Sequence, residues 1–291
     1  MSISIAFLLG IIQGLTEFLP VSSSGHLVLF QKIFGVSQPA LFFDTMVHAG
    51  TLVAVVIVLW PDILAILRRI LQPLTWYLIL ATIPAVIFAL VLKDTIEQAF
   101  ESGQFLGFAF LATALLLIIA ELLARRVNRG SFRRPLASLG PPYYKTTGIQ
   151  QGSMNWLDAL IIGLLQAIAI IPGISRSGAT LSGALSRRLN RDFAARFSFL
   201  LSIPAILGAL VLQIKDLVQE SSPVQNIIET AGGIGTAAII AGTVSAALTG
   251  FFAVRLMLKI VREKSLWGFA IYTGILGLLV LIDQFGTHFV F

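Results

Sequence analysis

Two short stretches of this chain hold most of its polar chemistry. "QGLTEFLPVSSSGH", residues 13–26, brings a glutamine, a glutamate, three serines and a histidine together, and "PGISRSGAT", residues 172–180, sets an arginine among hydroxyls and glycines. Gln13 and Glu17 are four apart in a helix that must end near Pro20, so they share a face. Gln13 alone also suits a hydrogen bond to another helix. Ser22, Ser23, Ser24 and Gly25 lead into the apolar run "HLVLFQKIF". Serines there are natural N-caps, and a helix N-terminus with free N–H groups is also an anion site. In the second stretch Gly173 and Gly178 flank Ser175, Arg176 and Ser177, and Thr180 follows. A guanidinium beside hydroxyls and a helix N-terminus has the geometry and charge of a phosphate clamp; an ion pair between Arg176 and Glu17 is the structural alternative. His26, three residues after Ser23, can be read as that serine's base or as a cap contact.

Everything around these stretches is apolar. Hydrophobic residues make up 57% of the 291 and charged residues 12%, with mean hydropathy +0.92, which excludes an ordinary soluble domain. With no cysteine, disulfides, thiolate metal sites and thiol catalysis are excluded. The net charge of +6 does not point to nucleic acid, because the basic residues sit at the ends of apolar runs. Six runs are long enough to span a bilayer: 43–67, 74–92, 105–124, 197–214, 232–254 and 266–285. Runs 3–15 and 159–171 are too short and end in polar, proline-containing turns, as re-entrant segments do. The N-terminus lacks a basic n-region and a small-residue cleavage site, so no removable signal peptide is expected.

Sixteen of the 20 Lys and Arg residues fall on one side of this pattern, which the positive-inside rule makes cytoplasmic and which turns both termini outward. "LGIIQGLTEFLPVSSSGH" aligns with "IGLLQAIAIIPGISRSGA" through Gly10/Gly163, Gln13/Gln166, Pro20/Pro172 and Gly25/Gly178. The chain therefore reads as an all-α integral membrane protein with six transmembrane helices and two re-entrant helix–loop–helix units in an inverted-topology repeat. The first repeat is 1–126, the polar cytoplasmic linker 127–155 and the second repeat 156–291, and the two loops meet near the midplane. Asp44 and His48 read as polar rim residues, and Glu121 as a side chain that snorkels to the interface.

Both stretches, and the segments "FDTMVHAGTLVAVV" and "FSFLLSIPAILGA" behind them, resemble the bacterial undecaprenyl-diphosphate phosphatases, the bacitracin-resistance family, over nearly the whole chain. The resemblance implies removal of the terminal phosphate of undecaprenyl diphosphate with a divalent cation, Mg2+ or Ca2+. That regenerates the monophosphate carrier of cell-wall synthesis at the bacterial cytoplasmic membrane. Family members open the first motif with Glu or Gln, so Gln13 fits but removes one carboxylate ligand. On these terms Arg176 holds the transferred phosphoryl group. Ser175, Ser177, Thr180 and the loop amides complete a cradle shared with Gln13, Ser22, Ser24, Gly25, Gly173 and Gly178. Glu17 holds the cation against the diphosphate. Ser23 is the nucleophile with His26 as base and later acid, or else His26 or Glu17 activates water directly. The lipid tail leaves between spans and the site opens to the outer face. The expected partners are the lipid diphosphate and the membrane, with a homodimer left open. A lipid-phosphate flippase or anion carrier is the runner-up, because inverted repeats also build transporters.

Overall fold

The computed structural model describes residues 1–36, 41–92, 95–96, 98, 103–127, 154–219 and 235–291. The expected linker 127–155 lies almost wholly outside them. The described regular structure is helical: α1 (Ile3–Thr16), α2 (Ser23–Ile33), α3 (Leu41–Val58), α4 (Trp60–Arg68), α5 (Pro73–Val91), α6 (Leu106–Val127), α7 (Trp156–Ile168), α8 (Arg176–Ser186), α9 (Arg191–Gln219), α10 (Thr236–Glu263) and α11 (Trp267–Ile282). Among the described residues five helices are long and apolar enough to cross a membrane, and six if α3 and α4 form one broken span. Large apolar side chains such as Ile83, Ile87, Leu248, Phe252, Ile271 and Ile275 are exposed around them. Only lipid covers such a belt without cost. This is a multi-pass membrane protein.

The expected span 43–67 is not straight: α3 and α4 meet at Leu59 with a bend of 74°. Pro61 explains the break, since it has no N–H for the carbonyl of Ile57 and its ring crowds the preceding turn. α1 and α7 have 14 and 13 residues. At 1.5 Å per residue each reaches about 20 Å, short of a hydrocarbon core of about 30 Å. α1 packs chiefly on α10, and α7 on α5. Both contacts need glycine. A Cβ on Gly10 would lie 2.1 Å from the carbonyl oxygen of Gly242, and one on Gly163 would lie 2.5 Å from that of Ala81. Small residues let helix backbones approach closely where burial of apolar surface gives no drive in lipid.

Polar pairing holds the opposite end of the bundle. Arg187, Arg191 and Arg196, which the charge pattern places in a cytoplasmic cluster, each meet a buried carboxylate: Asp158 at 2.6 Å, Glu121 at 2.9 Å and Asp62 at 2.7 Å. Glu121 therefore does not snorkel. It is 3% exposed and also accepts from the Leu266 N–H.

Candidate functional site

The two polar stretches form matching corners. α1 ends at Glu17, and Ser22 caps α2, its Oγ accepting from the Gly25 N–H at 3.2 Å. α7 ends before Pro172, and Ser175 caps α8, accepting from the Gly178 N–H at 3.0 Å. The corners are tied tip to tip. The Gly173 N–H donates to Ser24 Oγ at 3.3 Å, Ser177 Oγ donates to the Leu19 carbonyl at 2.9 Å, and Gly178 lies against Pro20. Gly173 takes φ +90°, open to glycine and strained for other residues. The first residues of α2 and α8, Ser23 and Arg176, thereby reach one point.

That point is Glu17. Its carboxylate is 2% exposed. Oε1 accepts from the Arg176 guanidinium, and Oε2 accepts from Ser23 Oγ at 2.5 Å and from Gln13 Nε2 at 2.8 Å. Arg176 also donates to the Ser202 carbonyl at 3.3 Å, so its fork is held from two sides. His48 Nε2 stands 3.5 Å from Glu17 Oε2, and its Nδ1 bonds the Asp44 carbonyl at 2.6 Å. His48 and Asp44 line the site and do not merely rim it.

A cavity of about 390 Å³ opens over this cluster. Its polar end is lined by Glu17, Ser23, Ser24, Asp44, His48, Ser175, Arg176 and Ser177. The rest is lined mostly by apolar residues, among them Ala85 and Ala89 of α5 and Ala205, Ile206 and Ala209 of α9. A charged head group and a hydrocarbon chain fit its two ends. Gln166, aligned with Gln13 in sequence, also lines it, and both of its side-chain polar atoms are buried without a partner among the described residues.

Three expectations change here. His26 does not act on Ser23: its Nδ1 bonds the Ser22 carbonyl at 2.7 Å and its Nε2 the Tyr272 hydroxyl at 2.8 Å. Thr180 donates to the Arg176 carbonyl at 2.9 Å and lies 2.5 Å from Ser198 Oγ, outside the cavity lining, so it braces α8 and takes no part in a cradle. Glu17 does not fit a resident cation, since its oxygens already accept from three donors. No three His, Asp or Glu among the described residues converge on a metal position. His48 carried a signal in its Asp44–His48 spacing; Tyr272 carried none, being 246 residues from its partner.

The family model described as bacitracin resistance protein BacA matches residues 6–279. An undecaprenyl-diphosphatase of Carboxydothermus hydrogenoformans is 45% identical over 284 residues, 98% of each chain. Undecaprenyl-diphosphatase 4 of Bacillus thuringiensis subsp. konkukian is 41% identical over 98% of each chain. An undecaprenyl-diphosphatase of Methanosphaera stadtmanae is 35% identical over 95% of this chain and 96% of its own.

Proposed function

From its place in the bacitracin resistance protein BacA family, to which this chain belongs, and from the site at Glu17, we infer that it hydrolyses undecaprenyl diphosphate to undecaprenyl phosphate and inorganic phosphate. The observation that carries the reading is the Glu17–Ser23–Arg176 cluster at the polar end of a cavity whose remainder is mostly apolar. The diphosphate sits against the N-termini of α2 and α8, and the prenyl chain runs between α5 and α9. Arg176 keeps N–H groups free beyond its bonds to Glu17 and Ser202 for the terminal phosphoryl oxygens, where charge grows in the transition state.

Ser23 Oγ attacks the terminal phosphorus as its proton passes to Glu17 Oε2, and the anhydride P–O bond breaks to release undecaprenyl phosphate. The proton on Glu17 passes to the departing undecaprenyl phosphate and restores the carboxylate. Water then attacks the phosphoserine, losing a proton to Glu17, and the Ser23 oxygen leaves as inorganic phosphate is released and takes that proton back from Glu17. Glu17 replaces His26 as base because it accepts from the serine hydroxyl, while both nitrogens of His26 are engaged elsewhere. On this reading a divalent cation travels with the diphosphate and is not resident in the protein.

We place the chain in the cytoplasmic membrane with the cavity open to the outer face. α1–α2 and α7–α8 are the two re-entrant units of an inverted repeat joined through 127–155. The basic bias supports the orientation. The exchanged packing, α1 on α10 and α7 on α5, supports the repeat. The test is phosphate release from undecaprenyl diphosphate by detergent-purified protein, with and without EDTA. Release that Ser23→Ala abolishes is expected. Absence of release, with lipid phosphate crossing vesicles that contain the protein, would replace the reading with a transporter.

A further inference from the structure

His26 is 2% exposed and sits inside the protein behind the loop, outside the cavity lining. The partner of its Nδ1 is a backbone carbonyl, which can only accept, so Nδ1 carries the hydrogen. The neutral ring then has its lone pair on Nε2, where the Tyr272 hydroxyl donates at 2.8 Å. Tyr272 also stacks on the ring, with centroids 5.7 Å apart and planes 15° apart, while Phe110 closes the edge. Orientation and tautomer are both fixed, and neither nitrogen is free to serve the cavity.

What this ring holds is Ser22. That residue has φ +73°, a conformation costly for a side chain with a Cβ and sustained only where surroundings enforce it. Its Oγ is committed to the Gly25 N–H, and its carbonyl receives both the His26 N–H at 3.1 Å and His26 Nδ1. Ser23, next in the chain, is aimed at Glu17 by that turn.

We propose that His26 and Tyr272 form a clamp on the Ser22 carbonyl, and that Tyr272, outside both polar stretches, is a positioning residue for the reaction at Ser23. The proposal rests on the phosphatase reading, and wild-type turnover tests that reading separately. Asparagine at 26 places an amide N–H near the Nδ1 position and has nothing at Nε2; glutamine does the reverse. The experiment compares kcat, KM and the pH profile of kcat for purified wild type, His26→Asn, His26→Gln, His26→Ala and Tyr272→Phe, with thermal unfolding beside each.

Misplacing a reacting group by about 1 Å costs about 10²-fold. His26→Gln and His26→Ala should therefore lose about 100-fold in kcat with little change in KM. His26→Asn and Tyr272→Phe each keep a donor on the Ser22 carbonyl and lose the contact at Nε2, so both should lose several-fold and no more than about tenfold. All should keep the wild-type pH profile. If His26→Asn is folded yet as inactive as His26→Ala, or if Tyr272→Phe turns over normally, the clamp is wrong. Loss of one limb of the pH profile in His26→Asn would restore His26 as a proton-transfer group. If a variant does not fold, the ratio of kcat between Tyr272→Phe and wild type decides alone.

Discussion

Arg176 pairs with Glu17 and is proposed to hold the transferred phosphoryl group, and a double-mutant cycle separates the two roles. It pairs with Glu17, whose carboxylate is 2% exposed while the arginine side chain is 21% exposed. Removing one partner of a buried pair costs 3–5 kcal/mol as a general magnitude. Here Ser23 and Gln13 still donate to Glu17 and the arginine reaches solvent, so Arg176→Ala should cost about 2–3 kcal/mol of stability. Glu17→Gln removes the stranded charge, so the double variant should regain most of that loss, a coupling of about 1–2 kcal/mol. Activity should behave differently. Losing the phosphoryl donor costs about 10²–10³ in kcat, and Glu17→Gln cannot return it. Arg176→Lys should keep much of the stability and little turnover, since an ammonium cannot span the Glu17 carboxylate, the Ser202 carbonyl and a phosphoryl oxygen together. Arg255→Ala, an exposed arginine over the Phe251 ring, is the control and should leave activity within about threefold. Thermal unfolding and phosphate release are measured on the same samples. If activity returns with stability in the double variant, or Arg176→Lys turns over normally, the arginine is structural and the phosphate assignment fails.

Ala205→Phe should fill the apolar arm of the cavity and raise KM for undecaprenyl diphosphate by at least about tenfold, the loss of roughly two buried methylenes, while sparing a short-chain prenyl diphosphate. Equal effects on both substrates would move the tail elsewhere. Cysteine at Ser131 should be blocked only by reagents that cross the membrane; reaction with an impermeant reagent added outside would reverse the topology.

The helices were legible because their signals are local. Run lengths and turn residues bounded α5, α6 and α11 to within a few residues, and the short runs ahead of Pro20 and Pro172 became α1 and α7. The bend at Leu59 was also written locally, in Pro61, but hydropathy averages over it. Charge counts carry less. The positive-inside pattern says which side Arg187, Arg191 and Arg196 face. Their partners Asp158, Glu121 and Asp62 come from three other helices, and no spacing rule links them.

The site shows the same division more sharply. Ser22–Ser24 and Ser175–Ser177 occupy the same positions of the two aligned stretches, and both build one corner: serine cap, first helical residue, second hydroxyl. The first helical residue differs, a hydroxyl at Ser23 and a guanidinium at Arg176, and both side chains reach Glu17. Glu17 has no acidic counterpart in the second stretch. Gln13 donates to Glu17, whereas Gln166 has the apolar Ile170 four residues on and finds no partner among the described residues. Repetition of the corner aligns two helix N-termini on one point and makes an anion site. A phosphatase needs more: a nucleophile, a base and a charge clamp on that same point. On the proposed mechanism those roles require the two copies to differ, so the positions where the aligned stretches part are the ones to which it assigns the chemistry.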